Sequence, residues 1–373
     1  MADAIHINTD IDPPLSWGQI QVEMTSCCNL RCKTCLYPAY EEQWIPKDLS
    51  PQAFARLLAI APQADSVHLQ GWGETLLRQD TARCIAELHQ SGTRPTLGSN
   101  GSAMTDRAAG ELIESGLVSM TFSLAGADAE SHDGLRGRGT FAAALDSIRT
   151  FVSQRSSTGH PPVLVNYLLT PSSFPSLPKA LALCSKLGVD ALVATHLVHV
   201  GTETQKRLAC YGAGRGRGWL LFRSRLAVLW RRTRLVLPGM KPSPLPVCPK
   251  NPLENLFVAS DGAVSPCVYL CPPIRGGYTR RIEGVPQPQQ RLVMGSLERQ
   301  SLTAIWNQPD YRHFRTHFQR RLDLYQALMP PPRTDFEGLQ QLQGATDRIH
   351  AAFETPTYRP PEPCRGCPHL WGY

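Results

Sequence analysis

Short β-rich runs alternate with longer helical stretches from about residue 19 to residue 199, and this alternation restricts the possible folds most strongly. Strands that are separated by helices connect as right-handed βαβ units, so the pattern predicts a parallel sheet in an α/β fold. In such sheets the chemistry lies at the C-terminal ends of the strands. The predicted strands cover residues 19–24, 66–70, 94–98, 118–124, 163–169 and 191–196, and the predicted helices cover residues 51–61, 81–91, 106–115, 141–154 and 176–186.

After about residue 200 the pattern changes. Residues 206–241 contain ten basic side chains and no acidic one, with an amphipathic helix predicted over 219–236. This basic segment fits either a solvated surface or a docking site for an anionic partner. A proline-rich linker follows, and then a predicted β-hairpin that turns at Asp261-Gly262. We expect an N-terminal extension (1–16), a six-stranded parallel sheet that is either open or curled into a partial barrel (17–204), the basic segment with its linker (205–247), and a C-terminal domain (248–373) with helices over 302–307 and 309–328.

The composition favours a globular protein with metal or redox chemistry. Apolar residues make up 42% of the 373 residues, which is enough for a sizeable core. The chain has no apolar run of about 18 residues and no secretory signal, so we expect a cytoplasmic protein without a membrane partner. Twelve cysteines in a reducing compartment favour metal ligation over disulfides. The net charge of +7 is too modest to imply nucleic-acid binding.

Three cysteines, Cys28, Cys32 and Cys35, form a C-x3-C-x2-C motif directly after the first predicted strand. Three thiolates on a tight loop suit three irons of a [4Fe–4S] cube, because soft sulfur ligands favour iron–sulfur clusters. Cys27 is adjacent to Cys28, and neighbouring side chains cannot easily face one small cluster together. The fourth iron is therefore left open to an external ligand. The alternative is a zinc site, which would need another ligand.

This motif resembles that of the radical S-adenosylmethionine (SAM) superfamily, whose cysteine loop follows the first strand of a partial (β/α)6 TIM-like barrel. The resemblance covers about residues 17–200. It implies that the open iron chelates the amino and carboxylate groups of SAM, and that an electron from the cluster cleaves the sulfonium to give a 5′-deoxyadenosyl radical. A reducing partner such as flavodoxin or ferredoxin would supply the electron. One departure is Thr34, because many members carry an aromatic residue just before the third cysteine.

Residues at the ends of the following strands resemble the SAM contacts of that superfamily. The second predicted strand ends in GWGE, which is similar to the GGE motif that receives the SAM ammonium group. Glycine permits close backbone approach, and a carboxylate complements a cation. Later strand ends and the sequence LRGRGTF are implied to contact the SAM ribose or carboxylate. The implied cofactor-binding residues are Gly71, Trp72, Gly73, Glu74, Ser99, Asn100, Ser123, Arg136, Arg138 and Asn166.

Two histidines, His196 and His199, end the sixth predicted strand. Both would project toward the mouth of the barrel, where the substrate is expected. Histidine can contact a substrate or carry a proton near neutral pH. A histidine near a strand end is about as often an ordinary hydrogen-bonded residue. The sequence therefore predicts a substrate role for both and leaves the ordinary one open.

A second set of cysteines, Cys248, Cys267, Cys364 and Cys367, has the spacing C-x18-C followed by a distant C-x2-C. Four thiolates complete the coordination of a [4Fe–4S] cube. The arrangement resembles the Twitch domain, the shortened form of the SPASM extension of radical SAM enzymes, and it implies an auxiliary cluster. Cys271 is an alternative fourth ligand in place of Cys248. A zinc site is the alternative to the cluster, since C-x2-C also suits zinc.

The resemblance implies hydrogen abstraction from a small polar metabolite, ending in oxidation, epimerisation or rearrangement. Finishing an oxidation requires the removal of one more electron, which an auxiliary cluster could accept. Three alternatives stay open. They are modification of a ribosomally made peptide, transfer of the 3-amino-3-carboxypropyl group of SAM, and a non-catalytic metal-binding scaffold.

Overall fold

A computed structural model describes residues 17–210, 232–282, 284–331 and 335–373. The N-terminal extension (1–16) lies outside the described residues. So does most of the basic segment, including the larger part of the helix predicted over 219–236. Among the described residues, no helix combines the length and the apolarity needed to span a bilayer.

The described residues form one mixed sheet of ten strands and a separate two-stranded ribbon. The order in the large sheet is β12-β9-β8-β1-β2-β3-β4-β5-β6-β7, and the ribbon pairs β10 with β11. All pairs from β1 to β7 are parallel, as the βαβ pattern predicts. The strands are β1 (Trp17–Val22), β2 (Ala64–Leu69), β3 (Pro95–Ser99), β4 (Ser119–Leu124), β5 (Val163–Leu169), β6 (Ala191–His196), β7 (Arg234–Val236), β8 (Leu256–Val258), β9 (Ala263–Ser265), β10 (Tyr278–Ile282), β11 (Val285–Gln289) and β12 (Gly295–Ser296).

Helices follow the barrel strands and cover the sheet. Ser50 and Thr105 cap the first and third of them, accepting hydrogen bonds from Ala53 and Ala108 backbone amides at 3.0 and 3.1 Å. The helices are α1 (Pro51–Leu58), α2 (Thr81–Gln90), α3 (Asp106–Glu114), α4 (Ala129–Arg136), α5 (Thr140–Gln154), α6 (Leu177–Lys186), α7 (Glu203–Leu208), α8 (Leu302–Trp306), α9 (Pro309–Leu328) and α10 (Phe336–Phe353).

The sequence predicts the six barrel strands and the five main helices between them, and all of these are confirmed. The elements missing from the prediction are α4, α7, β7, β10, β11, β12 and α10. One prediction is wrong. The end of the helix predicted over 219–236 is strand β7, which pairs with β6 because Arg234–Val236 extends the parallel sheet by one edge strand.

The predicted hairpin at Asp261-Gly262 joins the barrel directly. Its first strand, β8, pairs in parallel with β1, and β9 pairs back onto β8. One hydrophobic core runs from the barrel into the C-terminal helices, where Trp17 of β1 contacts Trp306 of α8 edge to face at 6.0 Å. The C-terminal domain is therefore held against the side of the barrel that carries the cysteine loop.

Candidate active site at the barrel mouth

The loop after β1 carries the three cysteines of the C-x3-C-x2-C motif. The Cys35 amide donates to the Cys32 carbonyl at 2.9 Å, which closes a tight turn. Backbone amides of Leu30 and Tyr37 lie 3.5 Å from the sulfurs of Cys28 and Cys35. Burial raises the pKa of Cys28 to about 11 and that of Cys35 to about 12. These thiols therefore keep their protons at neutral pH until a metal displaces them.

Three neighbouring segments hold this loop in place. The Glu74 amide donates to the Cys27 carbonyl at 2.8 Å, and the Lys33 amide donates to the Leu135 carbonyl at 2.8 Å. From the other side, the Gln205 side-chain amide donates to the Cys35 carbonyl at 2.8 Å. Gln205 is buried and also closes the capping box of α7. Gln205 is not among the predicted site residues, although the T-x-x-Q spacing of its capping box is visible in the sequence.

The GWGE segment packs against the cysteine loop. Its two glycines are required because the contact leaves no room for a side chain at either position. A Cβ atom at Gly73 would overlap the carbonyl oxygens of Thr25 and Cys27, and one at Gly71 would overlap the Glu23 side chain. Both glycines serve close backbone approach rather than a turn with positive φ. The end of β2 therefore lies directly beside the cysteines.

We expect Gly73→Ala to displace the cysteine loop and to lower the rate of SAM cleavage by about a hundredfold, since small misplacements of reacting groups cost that much. The rate is measured as 5′-deoxyadenosine formation by the reduced protein. Gly344→Ala is the matched control, because a Cβ at Gly344 of α10 meets nothing within 4 Å. Equal rates in the two variants would contradict the close packing of GWGE on the loop.

Glu74 links the ends of β2 and β3. Its carboxylate accepts from the Ser99 hydroxyl at 2.8 Å, from the Asn100 amide at 2.7 Å, and from the Leu76 amide at 3.1 Å. The side chain is only 3% exposed, and this burial raises the pKa of Glu74. Nearby Arg136 opposes that rise by its positive charge. The three predicted residues Glu74, Ser99 and Asn100 thus form one hydrogen-bonded group at the barrel mouth.

Arg136 and Arg138 lie in different environments. Arg136 ends α4, and its charge acts on the thiols of Cys28 and Cys32 as well as on Glu74. Arg138 lies in the exposed turn after α4. The Nε atom of Arg136 is buried without a hydrogen-bond partner among the described residues. Of the two arginines, only Arg136 is therefore close to the cysteine loop.

Ser123 and Asn166 lie side by side on β4 and β5, where they are paired in register. Both are half-buried. The Asn166 side-chain oxygen accepts from the Thr195 hydroxyl at 2.7 Å, which fixes the orientation of the amide. These two residues extend the polar row along the strands away from the group around Glu74.

His196 and His199 contact different groups. The Nε2 atom of His196 lies 3.0 Å from the Gly239 carbonyl oxygen, and its ring contacts Tyr373. His199 instead packs its ring against Trp72 of GWGE and against Tyr269, at centroid distances of 5.4 and 6.1 Å. Burial lowers the pKa of His199 to about 3, and neither ring nitrogen has a hydrogen-bond partner among the described residues. His199 is therefore neutral, and it lies between the barrel and the C-terminal domain.

Glu23, at the end of β1, is hydrogen-bonded both to the hairpin and to GWGE. Its carboxylate accepts from the Trp72 amide at 2.6 Å and from the Ser260 hydroxyl at 2.8 Å. The side chain is fully buried, and burial raises the pKa of Glu23 to about 7. Glu23 is not among the predicted site residues, because both of its partners are distant in sequence.

This pKa predicts a pH-dependent stability. Folded protein keeps a proton on Glu23 that the unfolded chain releases near its ordinary pKa of 4.5. The free energy of unfolding should therefore fall as the pH rises from 4.5 to 7, by about 3 kcal/mol for this group, and level off above 7. Anaerobic denaturant unfolding of wild type and Glu23→Gln at several pH values isolates this contribution. An unfolding free-energy difference between the two that stays constant over this range would contradict it.

The four cysteines of the second set line one cavity. Cys248, Cys267, Cys364 and Cys367 all border it. Burial raises the pKa of Cys248 to about 12, and the neighbouring thiols of Cys267 and Cys367 add to the rise. Burial also raises the pKa of Cys364, which is affected by the same neighbours. The fold therefore brings together thiols that are more than a hundred residues apart in sequence.

Cys271 lies apart from this cavity. Its side chain is fully buried among Phe257, Val268 and other apolar residues. The Arg291 guanidinium donates to the Cys271 sulfur at 3.3 Å while it also binds Asp261 at 2.8 Å. Cys271 thus has an arginine partner of its own and does not border the space that the other four share.

The donor sets fit iron–sulfur clusters in number and chemistry. The first loop offers three thiols, which leaves one corner of a cube without a protein ligand, and the cavity offers four. Arg280 and Lys250 also border that cavity, and they can balance the negative charge of a thiolate-bound cluster. In the part of the chain that the structure describes, no three His, Cys, Asp or Glu side chains close on a point that could hold a single metal ion.

Two family models match the chain. The model of the radical SAM superfamily matches residues 22–174, and that of the SPASM iron–sulfur cluster-binding domain matches residues 248–327. The first range contains the cysteine loop and GWGE. The second contains Cys248, Cys267 and Cys271, and it ends before Cys364 and Cys367.

Two curated proteins are similar over most of their length. A tungsten-containing aldehyde ferredoxin oxidoreductase cofactor-modifying protein of Pyrococcus furiosus is 23% identical over 79% of this chain and 82% of its own. An AdoMet-dependent heme synthase of Oleidesulfovibrio alaskensis is 26% identical over 79% and 76%. Among solved structures, Streptococcus suis SuiB bound to precursor peptide SuiA shares the fold, with a TM-score of 0.57 and 12% identity over 80% of this chain and 66% of SuiB.

Proposed function

The chain belongs to the radical SAM superfamily and carries a C-terminal SPASM-like iron–sulfur domain, and from this premise we propose that it acts by hydrogen abstraction on a small polar metabolite. The family makes it an enzyme that uses SAM, a SAM-binding [4Fe–4S] cluster and an auxiliary iron–sulfur cluster. When bound, the first cluster supplies the electron that cleaves SAM and generates a radical. We propose oxidation, epimerisation or rearrangement as the outcome, with flavodoxin or ferredoxin as the reductant in the cytoplasm.

We assign Cys28, Cys32 and Cys35 to the SAM-binding cluster and Cys248, Cys267, Cys364 and Cys367 to the auxiliary one. The first assignment is supported by the tight loop and by its contacts with GWGE. The second is supported by the shared cavity, which Cys271 does not border. In both sites the side chains bind iron as thiolates, so cluster assembly releases their protons.

The group around Glu74 is proposed to orient SAM. Its carboxylate is held by Ser99 and Asn100, and a buried carboxylate so fixed attracts the SAM ammonium group without rearranging. Arg136 is proposed to pair with the SAM carboxylate, which a guanidinium fork binds well. Ser123 and Asn166 lie farther along the strand ends, where they can contact the ribose.

We expect Arg136→Gln to weaken SAM binding by at least about tenfold, as the loss of a charge-assisted hydrogen bond predicts. Binding of SAM to the protein with its cluster loaded is measured by equilibrium dialysis under anaerobic conditions. Arg138→Gln is the matched control, because it removes the same charge from an exposed turn two residues away. Equal losses in both variants would assign the effect to overall charge rather than to a contact.

The observation that carries the proposal is the contact between GWGE and the wall of the cavity that the second cysteine set lines. Trp72 of GWGE packs against His199 and Tyr269, and Tyr269 borders the cavity of the second cysteine set. The Trp72 indole also donates to the Val268 carbonyl at 3.0 Å. A substrate at the barrel mouth therefore lies beside the wall of the auxiliary site. This placement suits an oxidation in which the substrate radical gives up one more electron.

A small metabolite is favoured by the two relatives that align over most of both chains. Their names describe the modification of a cofactor and the synthesis of heme. A precursor peptide is the second candidate, since SuiB binds one on the same fold. We keep His196 and His199 as proposed substrate residues, because both lie at the end of β6 at the barrel mouth.

The test is anaerobic reconstitution followed by incubation with SAM and dithionite. We expect 5′-deoxyadenosine, and its deuteration by a labelled substrate would identify the hydrogen donor. Methylthioadenosine instead would indicate transfer of the 3-amino-3-carboxypropyl group. No SAM fragment from protein with full iron content would indicate a scaffold and contradict the proposal. Candidate metabolites, and peptides encoded by neighbouring genes, are labelled with deuterium. They are compared by the amount of deuterium that each transfers to 5′-deoxyadenosine.

A further inference from the structure

The cavity of the second cysteine set is bordered by a buried guanidinium that has no carboxylate partner among the described residues. Arg280 of β10 is 3% exposed, and its Nη1 atom donates to the Pro363 carbonyl at 2.8 Å. The same guanidinium borders the cavity that Cys364 and Cys367 line, and Pro363 is the neighbour of Cys364 in the chain. Other arginines of this region differ, since Arg281 pairs with Glu203 and Arg291 pairs with Asp261.

We propose that Arg280 is a positioning residue that sets the reduction potential of the auxiliary cluster, raising it so that the cluster accepts an electron from the substrate radical. The inference rests on the proposed ligands of that cluster. In this step the substrate radical would pass one electron to the cluster and one proton to water. An external one-electron carrier protein of the flavodoxin or ferredoxin class then reoxidises the cluster.

The physical reason is the charge of the cluster. Four thiolates give it a net negative charge, and reduction adds one more negative charge inside a buried site. A cation held at fixed distance stabilises the reduced form more than the oxidised form, and burial weakens the screening by water and salt. Hydrogen bonds to the sulfurs and the charge around a cluster are the terms that set its potential. Arg280 supplies a fixed positive charge at the wall of this cavity.

A second, weaker cation faces the same space. Lys250 borders the cavity, and its Nζ atom lies 5.8 Å from the centroid of the Tyr269 ring. Lys250 is half-buried, so water screens its charge more than that of Arg280. We therefore expect Lys250 to act in the same direction with a smaller effect.

The adjacent residue on the strand provides a matched control. Side chains alternate between the two faces of a strand, so Arg281 points away from Arg280. Arg281 pairs with Glu203 at 2.6 Å and does not border the thiol cavity. Replacing Arg281 removes one positive charge from the same strand without changing what faces the cluster.

The experiment is a redox titration monitored by electron paramagnetic resonance. It uses the full chain with Cys28, Cys32 and Cys35 replaced by alanine, so that only the auxiliary cluster contributes. Arg280→Gln should make reduction at least about tenfold less favourable, which is a potential about 59 mV lower for one electron. Lys250→Gln should lower the reduction equilibrium constant about threefold, and Arg280→Lys should recover most of the loss. Arg281→Gln should change it less than twofold.

The outcomes separate this inference from the function on which it rests. A parent without about four irons would defeat the ligand assignment and the inference together. A parent with its cluster, and an Arg280→Gln potential equal to that of Arg281→Gln, would overturn the inference alone. If Arg280→Gln fails to bind iron, Lys250→Gln decides, and a Lys250→Gln potential equal to that of the parent overturns the inference, because positive charge at this cavity then does not set the potential.

Discussion

Replacing Cys28, Cys32 and Cys35 by alanine is expected to abolish SAM cleavage and to remove about half of the iron. The three thiols are the proposed ligands of the cluster that delivers the electron, so 5′-deoxyadenosine formation should fall to background. About four irons should remain, since the auxiliary set is intact. Iron and sulfide analysis and product chromatography measure both effects on the same anaerobic preparation.

Cys27→Ala is the matched control for this variant. Cys27 is next to Cys28, and its carbonyl accepts from the Glu74 amide, a backbone contact that the substitution keeps. Full iron content and normal SAM cleavage are expected. Two results together would contradict the assignment of ligands in this loop. They are loss of the N-terminal cluster in Cys27→Ala and retention of both clusters in the triple variant.

Replacing Cys364 and Cys367 by alanine is expected to remove about four irons while SAM cleavage continues. The substrate should then lose hydrogen to the 5′-deoxyadenosyl radical without forming the oxidised product, because no acceptor for the second electron remains. Both cysteines lie outside the barrel strands and helices, so the barrel should stay folded. Iron content, 5′-deoxyadenosine yield and product yield are measured together.

Cys271→Ala tests the competing ligand set. Arg291 keeps its ion pair with Asp261 in this variant, so the packing around it should survive. We expect full iron content and full product yield. Loss of four irons from Cys271→Ala would show that Cys271, and not one of the four cavity cysteines, is a ligand.

The sequence predicts the barrel well because its signals are local. β5 alternates buried and half-buried residues along its whole length, and its bounds and those of β6 are predicted to the residue. Helix α10 is missed because its glycines, Gly338 and Gly344, lower the helix propensity that would mark it. The β10–β11 ribbon is missed because β11 contains two prolines, which are rare within strands.

The site can be predicted from the sequence only where its residues form a short motif with a characteristic spacing. The cysteine loop and GWGE are short patterns, and the fold brings them together as the order of strands predicts. Arg280, Glu23 and Tyr269 gain their roles from partners that are distant in sequence, so no local pattern marks them. The separation of His196 from His199 also depends on tertiary packing, since both follow the same strand.

The central claim is that one iron of the N-terminal cluster has no protein ligand and binds SAM. The most direct measurement is electron–nuclear double resonance on the reduced Cys364→Ala/Cys367→Ala protein, which retains that cluster alone, with SAM labelled by 15N at its amino group and 17O at its carboxylate. We predict hyperfine coupling from both labels to the cluster. A reduced cluster of about four irons that shows neither coupling at saturating SAM would contradict the account.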